Sequence, residues 1–357
     1  MTNFRNYEQE LVDFHSEINL ITGKNAQGKT NLLEALYIMS LGKSFRTNKD
    51  SEMIGFGKDF CRVKCTFFKN DREHAIEIEI SREGKKITVN GVSISKHIQL
   101  LENIYIVVFS PEDLKIVKDE PEKRRRFLDR ELCQIKPVYY KTLSAYKKVL
   151  KQRNALLKNK DVKRNMLEVW DESLAKYGSK LIIERDHFIK KINITSDEIH
   201  REITNGREKL QVSYESNTGI FENERDIEVH FLDRLKEKAE NDIYRQTTGC
   251  GPHKDDLKVV IDGVDIRRFG SQGQQRTAAL SLKLAELAMI KEETGEDAVL
   301  LMDDVLSELD FERQRYLIKT LSNRQTFITC ADLSDELKKS LHTYQLYFVD
   351  KGTVIKE

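Results

Sequence analysis

Gly23-Lys24-Asn25-Ala26-Gln27-Gly28-Lys29-Thr30 has the spacing G-x-x-x-x-G-K-[ST] of a phosphate-binding loop. Ile18, Leu20 and Ile21 ahead of it read as a short buried strand. Residues 31–39 behind it read as a helix with Leu33, Leu36 and Tyr37 on one face. Strand, glycine loop and helix are the order that such a loop needs. The glycines let the backbone curl until its N–H groups converge at the positive end of the helix dipole, where a polyphosphate is bound. All eight residues from Gly23 to Thr30 are therefore candidate nucleotide-phosphate ligands. Lys29 is expected to reach the β and γ phosphates, and the Thr30 hydroxyl to ligate Mg²⁺.

Two distant stretches have matching chemistry. Val299-Leu300-Leu301-Met302-Asp303-Asp304 reads as a buried parallel strand ending in two acids. If that strand lies beside the phosphate strand, Asp303 holds Mg²⁺ opposite Thr30 and Asp304 polarises the attacking water. The plainer reading is a helix cap after a core strand. Ser271-Gln272-Gly273-Gln274-Gln275 is a second small-residue turn, leading into the apolar helix from Ala278. It suits another anion, or simply caps its helix.

The composition of the whole 357-residue chain bounds the class. It is 39% hydrophobic and 33% charged, with a net charge of +1 and five scattered cysteines. No run of 18 apolar residues is present, so no membrane partner is expected, and an odd number of scattered cysteines points to a reducing cytoplasm. Cys61 and Cys65 share one strand face and read as core thiols rather than metal ligands. His74-Ala75-Ile76-Glu77-Ile78-Glu79-Ile80 alternates as a half-buried strand, and Asn90-Gly91 marks a hairpin. Residues 104–109 read as a central strand, Ser110-Pro111-Glu112 as a helix start, and Tyr347-Phe348-Val349 as the strand that closes the sheet.

Residues 121–245 change to long Lys-, Glu- and Leu-rich helices, from Pro137 to about Lys158 and from about Val162 to Ile203. Met166, Val169, Leu174, Tyr177 and Leu181 keep helical spacing in the second. Lys147, Lys148, Lys151, Arg153, Lys158, Lys160, Lys163 and Arg164 gather near one inter-helix turn as a candidate basic tip. The expected organisation is an α/β P-loop ATPase domain with an inserted helical lobe or arm. Residues 1–120 carry the phosphate loop, 121–245 the arm, and 246–357 the remaining ATPase segments.

Together these motifs resemble the ATP-binding-cassette ATPases of the SMC/Rad50-like branch, whose signature, acidic strand and following loop match Ser271–Gln275, Asp303-Asp304 and Ser307-Glu308-Leu309-Asp310. The finer pattern resembles the bacterial RecF family. It rests on Asn3-Phe4-Arg5-Asn6-Tyr7, Phe109-Ser110-Pro111-Glu112-Asp113-Leu114, Gly251-Pro252-His253-Lys254-Asp255-Asp256-Leu257 and Gly270–Thr277. That resemblance implies a weak DNA-stimulated ATPase in DNA repair, replication, recombination and the SOS response. Such a protein binds single-strand gaps and adjoining single- and double-stranded DNA, works with RecO and RecR, and helps load RecA recombinase. It also implies an ATP-dependent homodimer, with Ser271, Gln272 and Gly273 of one subunit facing the nucleotide on Lys29 of the other.

The sequence departs from these families at three places. The resemblance implies a strand ahead of Asn3, so the first sheet edge is expected to be weakened. Ser110-Pro111-Glu112 stands where cassette transporters have a glutamine, and Thr329-Cys330-Ala331-Asp332 where they have a switch histidine. Slow turnover is the expectation. A non-hydrolysing ATP-sensing DNA clamp and a transporter ATPase subunit remain as alternatives.

Overall fold

The computed structural model describes residues 1–321, 324–331, 339, 341 and 343–357, with the backbone alone for His97. Asp332, part of the expected switch segment, lies outside the described residues. Met1–Leu114 with Glu286–Glu357 forms one compact unit, and Lys115–Ala285 a second.

The first unit holds two six-stranded sheets. One is antiparallel, in the order Tyr7–Gln9, Thr2–Phe4, Phe60–Lys69, Arg72–Ser81, Gly84–Val89, Val92–Ile94. The alternation read from the sequence holds, because Ile76, Ile78 and Ile80 all face the core. Asn90 and Gly91 both take left-handed φ values, 50° and 80°, as a two-residue hairpin turn needs. Thr2–Phe4 is not a weakened edge: it pairs with Tyr7–Gln9 on one side and Phe60–Lys69 on the other. Cys61 is buried and Cys65 half-buried on one strand, and burial pushes their thiols up to about 12 and about 11.

The second sheet runs Thr353–Lys356, Tyr344–Asp350, Ile18–Thr22, Thr326–Thr329, Val299–Asp303, Ile106–Phe109. All neighbours are parallel except the hairpin formed by its first two strands. Three expectations change here. Ile106–Phe109 is an edge strand, not a central one; all four of its residues are buried, so the apolar run reports coverage rather than position. Thr353–Lys356, not 347–349, closes the other edge. The acidic strand is not beside the phosphate strand, because Thr326–Thr329 stands between them.

Helix Lys29–Leu41 shares one core with side chains of both sheets, from Phe4 and Ile78 to Leu301 and Val349. It is therefore buried nearly all round rather than on the expected single face, and Leu36 is among its less buried residues. Ser110-Pro111 opens no α-helix, only the single 3-10 turn Asp113–Lys115. The Asp113 carboxylate accepts from Ser110 N (2.9 Å) and Ser110 Oγ (2.7 Å), closing a turn, and the next α-helix begins at Pro121.

In the second unit, helices Pro121–Ile135, Pro137–Leu157, Glu168–Thr204 and Glu224–Arg245 accompany a three-stranded sheet. The 37-residue helix Glu168–Thr204 is about 55 Å long at 1.5 Å per residue. Its buried stripe starts later than expected. Leu167 in the preceding turn is fully buried, whereas Met166 and Val169 are exposed. Arg153 is no part of a basic tip: it is fully buried and donates to Asp171 (2.6 Å) and Asp242 (2.7 Å). The other seven basic residues of that group are exposed.

Residues 251–257 form the polar hub of this unit. Buried Arg185 donates to Pro252 O (2.6 Å), Tyr139 Oη (2.9 Å) and Asp129 Oδ1 (2.7 Å). Asp255 accepts from the Tyr214 hydroxyl and from Asn217 N. Asp256 takes a two-bond fork from Arg124 (2.6 and 2.9 Å). His253 Nε2 donates to Thr248 O (3.1 Å), so its Nδ1 accepts from the Tyr146 hydroxyl (2.7 Å) and the ring is neutral.

Burial pushes His253 down to about 4 from an ordinary value of 6.5, with nearby Lys254, Arg125 and Arg185 adding to the shift. The unfolded chain therefore takes up this proton first as pH falls. His253 supports the fold fully above pH 6.5 and loses that contribution, about 3 kcal/mol at most, on the way down to pH 4. Equilibrium denaturation across that range should show the midpoint falling more steeply in the wild type than in His253→Gln. Equal slopes would remove His253 as the cause.

Candidate nucleotide site

The loop starts where strand Ile18–Thr22 ends and runs into helix Lys29–Leu41, whose cap is Gly28. Gly28 has no side chain to offer the first-turn N–H groups, which remain available to an anion. Gly23, Ala26 and Gly28 have φ of 141°, 65° and 125°. Both glycines are also required by crowding. A Cβ at Gly23 would strike the Val349 carbonyl, and one at Gly28 would lie 2.8 Å from Asn6 Nδ2 and 3.0 Å from Tyr7 Oη.

The loop is braced from outside by both ends of the chain. Asn6 Nδ2 and Gly352 N donate to Gln27 O (2.8 and 3.1 Å), Lys351 N donates to Gln27 Oε1 (2.8 Å), and Tyr7 Oη donates to Gly28 O (3.1 Å). Burial raises the Tyr7 phenol well above its ordinary range, so it stays a donor. Arg5 adds a two-bond fork to buried Glu34 (2.8 and 2.7 Å), which also receives Arg46 (3.2 Å) and the Ser44 hydroxyl. Arg5, Asn6 and Tyr7 of the 3–7 motif thus act directly on the loop and its helix. The role of Glu34 was missed, although an acid between Leu33 and Ala35 in an apolar helix was a visible signal.

Lys24, Asn25 and Ala26 are exposed at the loop's mouth. Lys29 folds over the loop, its Nζ donating to Gly23 O (2.5 Å) and Lys24 O (3.1 Å). Thr30 Oγ1 donates to Asp303 Oδ1 at 2.8 Å, so the two expected metal ligands are in contact. Asp304 follows at a left-handed φ of 54°. Burial raises its carboxyl above the usual carboxylate range; Lys29 opposes this, and Asp303 and Glu308 add to it. Asp310 caps helix Phe311–Lys319 by accepting from Arg313 N (3.0 Å).

Ser271, Gln272 and Gly273 lie in the second unit. Ser271 is exposed and caps helix Gln272–Thr294 reciprocally: its Oγ accepts from Gln274 N (3.2 Å) and its N donates to Gln274 Oε1 (3.0 Å). The capped-helix reading is thereby realised, and it leaves the turn open to solvent. Gln274 Nε2 also donates to Glu208 Oε1 (3.0 Å), whose Oε2 meets buried His200 Nε2 (3.1 Å). That link joins the turn to the end of helix Glu168–Thr204 and had no sequence signal.

The sequence matches the family described as RecF/RecN/SMC N terminal domain over residues 1–355. A relative from Alkaliphilus oremlandii named DNA replication and repair protein RecF is 47% identical, over 99% of this chain and 98% of its own. Its namesake in Clostridioides difficile is 45% identical, over 99% and 96%. The chain belongs to the RecF family. A solved structure described as the recombination mediator protein RecF-ATP in the RecFOR pathway superposes with a TM-score of 0.92 at 38% identity, covering 100% of this chain and 95% of that one. An SMC head bound to the C-terminal winged-helix domain of ScpA, 15% identical over 99% and 95% of the two chains, has a TM-score of 0.56 and shares the fold. RecF-family membership thus comes with the expected α/β ATPase head and inserted helical lobe. Among the described residues no helix is long and apolar enough to cross a membrane.

Proposed function

We propose that this chain is an ATP-controlled DNA-binding protein of gap repair, which hydrolyses ATP slowly and works with RecO and RecR to load recombinase. The observation that carries the reading is the Thr30–Asp303 contact at the foot of a braced phosphate loop. The relative solved as RecF-ATP in the RecFOR pathway supports the nucleotide and the partners.

The donor set fits Mg²⁺, because a hydroxyl and a carboxylate oxygen converge, and hard oxygens suit that ion. Thr30 and Asp303 would hold it, and bound there it would neutralise charge between the β and γ phosphates. Residues 23–30 bind the phosphates through backbone N–H groups. Lys29 leaves its two loop carbonyls to meet the β and γ oxygens. Asp304, its basicity increased by burial, orients the attacking water and accepts its proton. Lys29→Ala and Asp303→Ala should each lower turnover at least about a hundredfold. Asp304→Asn should bind ATP normally and fail to release phosphate, as measured by filter binding beside a phosphate assay. Normal hydrolysis by Asp304→Asn would move the base elsewhere, and a wild type that binds without hydrolysing would be an ATP-sensing clamp.

Ser271 has no lysine near it in sequence and forms only half a nucleotide site, which a second subunit's ATP would complete in a two-fold dimer. Ser271→Arg should bind ATP almost as well as wild type yet fail to dimerise or hydrolyse it, read by fluorescence titration beside sedimentation. Normal ATP-dependent dimers would exclude the sandwich.

DNA contact is assigned to the exposed basic group around Lys147, Lys151 and Lys158, which line a concavity of ≈ 510 Å³ with Leu150, Asn154 and Ala155. Lysine ammonium groups bind phosphate rather than read bases. ATP-dependent binding to gapped duplex should therefore fall about a hundredfold between about 50 and about 200 mM salt for four phosphate contacts, with little dependence on base sequence. Salt-insensitive binding to one sequence would refute this assignment.

A further inference from the structure

The strand Thr326–Thr329, inserted between the phosphate strand and the acidic strand, ends in Thr329, which in sequence only marks the start of the segment that stands in place of a switch histidine. Thr329 is 1% exposed, and its backbone is fixed from both sides. It is registered opposite Ile21 of the phosphate strand and opposite Asp303 of the acidic strand. Its hydroxyl reaches both acids: Oγ1 donates to Asp303 Oδ1 (3.0 Å) and accepts from Asp304 N (3.0 Å). The Thr329 carbonyl accepts from the same Asp304 N–H at 3.2 Å.

We propose that Thr329 is the positioning residue of the ATPase site, holding the Asp303 carboxylate and the Asp304 backbone in their working geometry. The proposal rests on the assignment of those two acids made above.

Asp303 Oδ1 receives two hydroxyl protons, one from Thr30 at 2.8 Å and one from Thr329 at 3.0 Å. The Thr30 hydroxyl must give up its bond when it turns to a metal ion. The Thr329 bond has no such duty, so it keeps the carboxylate oriented before and after loading. Asp304 depends on Thr329 differently. Its φ of 54° lies in the left-handed region, which is uncommon for a non-glycine residue though open to an aspartate, so a fixed partner is needed to select it. Two acceptors of one residue grip its N–H and hold it in that conformation. A side chain that orients a metal-binding carboxylate commonly matters nearly as much as the ligand itself. Thr329 touches no substrate atom in this role; it acts through the two acids.

Thr329→Val keeps the shape and removes the hydroxyl, and Thr329→Ser keeps the hydroxyl. Mg²⁺ is titrated into each protein with a non-hydrolysable ATP analogue present, and the thermal shift is read. Phosphate release is measured in parallel. Thr329→Val should bind the analogue in EDTA as the wild type does. It should need about tenfold more Mg²⁺ for the half-maximal shift and lose about ten- to a hundredfold in kcat at unchanged KM for ATP. Thr329→Ser should recover both to within about threefold of wild type. If Thr329→Val does not fold, Thr329→Ala against Thr329→Ser makes the same comparison. A Thr329→Val protein with wild-type Mg²⁺ dependence and kcat overturns the proposal while the ATPase reading stands. A valine variant that loses analogue binding in EDTA, or a serine variant that recovers nothing, also overturns it, because the effect is then not that of the hydroxyl on the acids. A wild type with no Mg²⁺-dependent nucleotide shift overturns both.

Discussion

Thr30 and Asp303 are 273 residues apart and share a 2.8 Å hydrogen bond. That bond requires three parallel strands in one register. Ile21, Thr329 and Asp303 must end at the same level, so that the loop leaves one strand where the acids leave another. A slip of one residue in either pairing would turn Asp303 to the opposite face of the sheet. The apolar runs of 18–22, 299–303 and 326–329 therefore do more than fill a core. They set the distance on which the proposed metal site depends.

The strand–loop–helix unit was legible because its chemistry is local: the glycine spacing, the flanking apolar runs and the lysine all lie within about twenty residues. The hairpin at Asn90-Gly91 and the alternation of Ile76, Ile78 and Ile80 were legible for the same reason. Order within a parallel sheet is not local. Nothing in residues 326–329 says that they insert between two strands, so the Thr329 hydroxyl was passed over. Leu210–Glu215 carried a readable alternation, with every second residue buried, but lay inside a region dominated by helical patterning. In sequence Arg153 reads like the surface lysines around it, because its two aspartate partners lie 18 and 89 residues away.

Arg153 is one case of a general pattern. With 33% charged residues, the chain invites the view that its helices present their charges to water. Several of those charges instead sit inside. Arg124, Arg153 and Arg185 are at most 2% exposed, and Glu34 and Asp242 are fully buried. Each is paired, so the cost of taking a charge from water is offset by a forked or multiple hydrogen bond. Removing a single partner leaves the other charge buried and unmatched, which makes such clusters intolerant of change. The residues of the 251–257 motif belong to this kind of cluster, which explains on physical grounds why so polar a segment is packed rather than looped out.

The brace on the phosphate loop has a consequence for the order of events on the ribosome. Gln27 is held through its side chain by Lys351 N, 324 residues further along. At about 5–20 residues per second, the loop emerges roughly 15–65 s before the segment that steadies it. Until then Ile18–Thr22 also lacks both parallel neighbours, which come from Thr326–Thr329 and Tyr344–Asp350. A nascent chain thus carries a complete phosphate-loop sequence without the fold to use it. A chain that stops short of residue 326 would lack both parallel neighbours of Ile18–Thr22 and the Lys351 brace on Gln27, so the loop's geometry depends on about the last thirty residues to be made.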